Sequence, residues 1–496
     1  MRYVLSLWTT HEFQLNSPKD EGYPVCMRCQ RWGFECKGPK GTTFIEGKIL
    51  QSRRTVERAT LPPKSGGRST DFADYQIPLS VPQGNIDFNV YLCYARTYLR
   101  SGAPIELASR EVQLISTIPA GTDLVNGRIF HHAVLSFATI LFGSRHRQAY
   151  ITSKGYAMLG MALKQLNQAL SDSTCYTCDE VILSVATLAT LESLVPTGPN
   201  TYLKHIMGLQ RLLELRDPSF YCSPKSLELY KAIRHMILFA SLRTGRISIL
   251  ARADWKTLLR ANCSAGEMQE QDLFDVLAEC TVLGSKRDDM LTNTQSNAGR
   301  NASQRDEIRG RALNLLNHLR VWRKRWESDE RNSYSETSAG PAEPMHELRE
   351  DGLSPFTTVF EFSNVSAAVM SMFYNTTLII VLRIIASLSL ESLGIHTDRD
   401  FTTQDILQDP DHLDDSWNQT SDDHIAAERI AALDVCRCIP YYSKGRSLSD
   451  SCPSPIVHWA VATALTTLRS NQSLEGRWMM DWLDKKNPNA FAKGLW

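Results

Sequence analysis

Residues 202–213 read Tyr202-Leu203-Lys204-His205-Ile206-Met207-Gly208-Leu209-Gln210-Arg211-Leu212-Leu213. Leu203, Ile206, Leu209, Leu212 and Leu213 recur at spacings of three and four, which places them on one face of an α-helix. That helix stops before Asp217-Pro218, because the residue before a proline avoids helical backbone angles. Upstream, Pro196 to Asn200 reads as a turn. Before it, Asp179 and Glu180 open a helix lined by Ile182, Val185, Ala186, Ala189 and Leu194. Acidic residues in a first turn complement the positive end of the helix dipole. Tyr156, Leu159, Leu163, Leu166 and Leu170 give the same period further back.

Helical spacing begins at about Phe88. It returns at Ser226 to Leu250, Ile308 to Glu327, Val359 to Leu390, Ile425 to Tyr441 and Pro455 to Leu468. Alternating strand patterns are scarce, so residues 88–496 are expected to form one large all-α domain. Three stretches rich in Ser, Thr, Asn, Asp and charge, at 284–304, 328–354 and 396–423, are expected to be loops or locally disordered. Val365 to Leu390 is apolar and long, but Arg383 lies well inside it. A charge there is costly in a bilayer, so this stretch reads as a buried helix and no membrane partner is expected.

Composition narrows the class further. The chain has 496 residues, 43% hydrophobic and 22% charged, with 54 Lys+Arg against 54 Asp+Glu. This excludes collagen-like, coiled-coil and wholly disordered proteins, and also a uniformly basic coat. Charge is nevertheless concentrated locally. From Lys37 to Arg68, eight Lys and Arg stand against Glu46 and Glu57, a net charge of +6. With Pro62-Pro63 and Ser65-Gly66-Gly67 at its end, the 41–87 stretch reads as a basic flexible linker. Its prolines and lack of sustained heptads predict no coiled coil there.

Ahead of the linker lies Pro24-Val25-Cys26-Met27-Arg28-Cys29-Gln30-Arg31-Trp32-Gly33-Phe34-Glu35-Cys36-Lys37-Gly38-Pro39. Cys26, Cys29 and Cys36 stand as C-x2-C-x6-C. The tight C-x2-C turn can aim two thiolates at one metal, and a third can return after a short helix. Structural zinc takes four ligands in a tetrahedron, so three thiolates alone leave a coordination position open. Arg28, Arg31, Lys37 and Lys40 are candidate phosphate contacts beside this cluster. Cys175 and Cys178 repeat the C-x2-C spacing without further ligands nearby. His205 lies on a leucine-rich helix and reads as a packed residue, and His131-His132 lies in an apolar stretch with no suitably spaced acidic partner after it. Trp322 and Trp326, four apart among basic residues, read as the core face of an amphipathic helix. The chain holds no G-x-S-x-G, P-loop, G-x-G-x-x-G or H-E-x-x-H motif, and no enzyme activity is expected.

The 24–39 stretch resembles the second half of the fungal Zn(2)-C6 binuclear zinc cluster, with Cys26, Cys29, Arg31, Gly33 and Cys36 on the positions of that pattern and Pro24 on its loop proline. The resemblance implies Cys26 as a bridging thiolate and Cys29 and Cys36 as terminal ligands, with two Zn2+ ions in a complete cluster. The first C-x2-C-x6-C half, with the basic helix that enters the major groove in that family, is absent from this sequence. Residues 1–19 hold no cysteine, and Lys19 stands where the third cysteine would fall. Residues 1–19 are therefore expected to replace the true first half through a wrong start or a missed splice junction, the other reading being a genuine loss, and 20–40 to be a partial cluster. The Leu203–Leu213 sequence and Ala432–Tyr442 are similar to the fungal-specific transcription factor domain that follows such clusters. Together these resemblances imply a nuclear, zinc-dependent regulator of RNA polymerase II transcription, with double-stranded DNA as partner. A homodimer and a small-molecule effector are further partners the resemblance allows. The competing reading is a regulatory or effector-sensing helical protein that does not touch DNA.

Overall fold

The computed structural model describes residues 86–98, 125–172, 178–198, 201–216, 224–292, 298–338, 355–390, 421–443, 454–468 and 473–486. The expected zinc-cluster segment and nearly all of the linker lie outside these residues, as does most of 396–423. The described chain is mostly helical.

An N-terminal group comprises α1 (Ile86–Tyr98), α2 (Val125–Arg145), α3 (Ala149–Ser171), α4 (Asp179–Leu194) and α5 (Thr201–Glu214). Helix α2 packs against α1, α3 and α4, and α4 packs on α5. Helix α4 is buried on nearly every side, from Val181 to Ala189 without interruption. Its carboxyl-bearing first turn is tied down: Arg216 and Ser226 both donate to the Asp179 carboxylate, at 2.7 and 2.5 Å.

Helix α6 (Pro224–Thr244) joins this group to the second. It is followed by a turn through Gly245, whose φ of +66° suits a residue without a side chain. Beyond it lie a 3-10 turn at Ile249–Ala251, α7 (Ala253–Ala261), α8 (Ala265–Thr292) and α9 (Ala298–Glu327). Helix α8 starts on a capping box: Ser264 Oγ accepts from the Glu267 amide, and the Glu267 carboxylate accepts from the Ser264 amide at 2.8 Å. The centre of the second group is α10 (Val365–Leu390), packed among α8, α9, α11 (Ser421–Ser443) and α12 (Pro455–Thr467). A last helix, α13, spans Leu474–Lys486 and touches α11. By length and apolarity Val365–Leu388 could cross a membrane, but 67% of that window is buried among its neighbours. Arg383, the charge inside it, reaches Glu428 of α11 at 2.8 Å.

The structure corrects the sequence reading in three places. The polar stretch at 284–304 is not one loop: α8 continues through Gly284 to Thr292 and α9 begins at Ala298. Its charges belong to helix surfaces, with Lys286 bonded to Glu307 at 3.0 Å and Met290 buried beneath. The polar stretch at 328–354 contains a 3-10 turn and strand β1 (Tyr334–Ser338), which pairs antiparallel with β2 (Thr358–Phe362). The expected helix from Val359 therefore begins later. Phe360 and Phe362 alternate inward from β2, and Asn364 then caps α10 by accepting from the Ala367 amide at 2.9 Å. So the described fold is helical with one two-stranded hairpin.

Candidate functional site

Two constructions in the described residues combine cations, aromatic rings and hydroxyls. The first holds the β-hairpin to the helices. Arg323 of α9 lies over the rings of Trp326, Tyr334 and Tyr374, at 4.9, 5.4 and 5.2 Å, and donates to the Tyr334 hydroxyl and the Glu327 carboxylate. Arg437 of α11 lies 4.0 Å over Phe360. Its guanidinium donates to the Thr358 carbonyl and hydroxyl and pairs with Glu336 at 2.7 Å. It also reaches Asp434 at 3.2 Å. Burial pushes the Asp434 carboxyl up to about 6, against the opposing pull of Arg437 and Arg323. Each cation is thus matched by a carboxylate and a ring face, the arrangement expected of a structural clasp.

The second construction is the corner between α2 and α3. Gly143, in the last turn of α2, packs against Thr152 of α3, where an added Cβ would stand 2.6 Å from the Thr152 amide nitrogen. The chain turns through Ser144-Arg145-His146-Arg147-Gln148, closed by the Gln148 amide donating to the Gly143 carbonyl at 2.8 Å. Arg147 adopts φ +53°, in the left-handed region. Phe142 and His146 meet Tyr94 of α1 edge-on, ring centres 5.3 and 5.1 Å from it. Ser144, Arg147, Thr152, Ser153 and Tyr156 line a shallow recess of about 540 Å³ at this corner.

The residues singled out from sequence divide sharply. Cys26, Cys29, Cys36, Arg28, Arg31, Lys37 and Lys40 all lie outside the described residues. Trp322 and Trp326 are buried and stack on one another at 6.0 Å, and the Trp322 indole donates to the Gln269 carbonyl at 2.8 Å. They are core residues, as their spacing implied. His205 is buried in α5. His132 bonds Gln165 of α3 at 2.9 Å, while burial and the neighbouring His132 lower the pKa of His131. Cys178 is half-buried before α4, and Cys175 lies outside the described residues. Cys280, Cys436 and Cys438 are buried, and burial pushes each thiol upward. A buried thiol held neutral is a poor nucleophile near pH 7. Among the described residues no group of three or more His, Cys, Asp or Glu is arranged to hold a metal ion. Sequence reading missed both constructions. Arg145, His146 and Arg147 carried a signal in their adjacency, but nothing in the sequence joins them to Tyr94, fifty residues earlier.

Comparison with known proteins gives this arrangement a context. The profile described as the fungal specific transcription factor domain matches residues 123–408. The match ends before α11, so the likeness seen in Ala432–Tyr442 falls outside it. The chain is 23% identical over 224 residues to an uncharacterized protein of Emericella nidulans, covering 42% of this chain and 48% of that protein. The chain thus spans about half the length of this curated relative. No solved structure matches the chain.

Proposed function

Since the chain belongs to the fungal specific transcription factor domain family, we propose that it is a nuclear, zinc-dependent DNA-binding regulator of RNA polymerase II transcription. The family match over 123–408 carries this reading. In it, the helical domain is the regulatory body, without enzyme activity, and recognition of DNA belongs to the N-terminal segment. Cys26, Cys29 and Cys36 supply three thiolates there, with Cys26 bridging and Cys29 and Cys36 terminal. Two Zn2+ ions in a complete cluster need ligands beyond these three. The zinc ions organise the segment, and folding of so small a site depends on them. Arg28, Arg31, Lys37 and Lys40 contact phosphates, which position a protein on a duplex without reading its sequence.

The test is a gel-shift comparison of two proteins. One is the 496-residue chain as written; the other carries a C-x2-C-x6-C half with a basic helix ahead of Asp20. The second protein is expected to bind a selected duplex specifically, and Cys29→Ala in it to abolish that binding by removing a zinc ligand. Specific binding that survives Cys29→Ala would overturn the zinc-dependent reading.

A further inference from the structure

Helices α2 and α3 are electrostatically unlike the rest of a chain with zero net charge. Residues 125–171 contain no Asp or Glu but hold Arg128, Arg145, Arg147, Lys154 and Lys164, while α1 holds both Asp87 and Arg96. The α2–α3 corner gathers several of these. Arg147 and His146 are exposed at the turn, Arg145 half-exposed beside them, and Lys154 lies one turn further along α3, 4.5 Å over Phe88. Tyr150 stands 79% exposed on the same helix. The Glu192 carboxylate, which acts electrostatically on Tyr156 from α4, is turned to the Thr197 amide and hydroxyl, at 2.9 and 2.8 Å.

The corner is also tightly packed and unusual in its backbone. Gly143 lets α2 and α3 meet closely, and the Phe142–Tyr94–His146 ring group fixes the turn from beneath. Arg147 occupies a left-handed conformation, φ +53°, that glycine adopts without strain. A strained arginine at an exposed turn fits a role for its guanidinium rather than for the fold. Beside it, Ser144, Ser153 and Tyr156 line the recess, residues whose hydroxyls are donors of the kind that bond phosphate oxygens.

We infer that the α2–α3 corner, through Arg145, Arg147 and Lys154 with the hydroxyls of Ser144, Ser153 and Tyr156, is a second, sequence-insensitive contact for the phosphate backbone of double-stranded DNA. The occupant follows from charge complementarity: a cationic, hydroxyl-bearing surface whose neighbouring carboxylate, Glu192, is engaged by Thr197 matches a regularly spaced polyanion. Chain length permits it. Arg68 closes the basic stretch and α1 starts eighteen residues later, a reach of at most roughly 60 Å. The inference rests on the proposed DNA-binding function and assigns to the helical body a part of the affinity, with none of the specificity, since no base edge is read.

The experiment is a salt titration of the full chain with a labelled duplex of arbitrary sequence, read by fluorescence anisotropy. Each lost phosphate contact lowers the slope of log affinity against log salt by about 0.9. The double variant Arg145→Ala/Arg147→Ala is expected to lower it by about 2. Arg147→Gly is expected to lower it by about 1 while its melting temperature equals or exceeds that of the native chain, because the strain is removed with the charge. That combination separates phosphate contact from damaged folding. Unchanged slopes in both corner variants overturn the inference. If Arg53→Ala/Arg54→Ala lowers the slope in that same experiment, DNA binding through the basic stretch stands and only the corner falls. Failure of the native chain to bind the duplex at all would remove both.

Discussion

Trp322 shows what one side chain contributes in this protein. It is buried, stacks on Trp326 and Tyr374, and satisfies its single donor on the Gln269 carbonyl. Trp322→Ala removes a large apolar surface and leaves that carbonyl without its partner. A loss of about 3–5 kcal/mol is expected, measurable by chemical denaturation; a loss below about 1 kcal/mol would show that the ring is not part of the core. Asp434 behaves differently, because its carboxyl titrates at about 6 in the folded chain against an ordinary 3.8. With a raised folded value, the unfolded chain releases this proton first as pH rises. Stability from this group is therefore highest below about pH 4 and falls as pH rises to about 6. Asp434→Asn should flatten that part of the profile, so its melting temperature relative to native should be higher at pH 7.5 than at pH 4.5. Parallel melting curves across this range would contradict the assignment. Neither residue's role was equally legible: the i, i+4 spacing of Trp322 and Trp326 announced a core face, whereas Asp434 depends on Arg323 and Glu336 from distant parts of the chain.

At the level of elements, local signals were legible where they agreed with packing. Helix α4 spans Asp179–Leu194, the bounds read from its acidic first turn and the turn at Pro196. The end of α8 and the start of α9 were obscured because their charges pair across helices, as Lys286 does with Glu307; in sequence such residues look like solvated loop. The hairpin was invisible for a different reason. Strand β1, Tyr-Ser-Glu-Thr-Ser, has one inward ring and is held by β2, Arg323 and Arg437 rather than by its own alternation. The α2–α3 pair offers a direct test of element packing. Cβ atoms at Gly143 and Gly155 would stand 2.6 Å from atoms of Thr152 and Ile140, whereas one at Gly160 would meet nothing within 4 Å. Gly143→Ala and Gly155→Ala should each destabilise by about 1–3 kcal/mol through overpacking. Gly160→Ala should stabilise by about 0.5–1 kcal/mol, since alanine loses less backbone freedom in a helix. Equal effects at all three positions would mean that α2 and α3 do not cross as closely as described.

Across the whole molecule, a net charge of zero conceals segregation. The Lys37–Arg68 stretch carries +6 and helices α2 and α3 carry no carboxylate, so the balancing acids lie elsewhere in the chain. Cationic segments of this kind attract polyanions even where the net charge of the chain is zero. The helical body was legible from sequence because its signal is periodic and repeated over hundreds of residues. The proposed recognition segment was legible only through the spacing of Cys26, Cys29 and Cys36, and it lies outside the described structure. Its metal content follows from coordination number: with three thiolates, the 496-residue chain should hold less than one zinc ion per chain after dialysis, and two tightly held ions would contradict this. The central claim, that sequence-specific DNA binding requires a completed zinc cluster, is met most directly by selection from a random duplex pool at physiological salt, with the chain as written and the chain carrying a C-x2-C-x6-C half ahead of Asp20. An enriched motif is expected for the completed protein and none for the chain as written, whose residual binding disappears as salt rises. Enrichment of a defined, salt-resistant motif by the chain as written would contradict it.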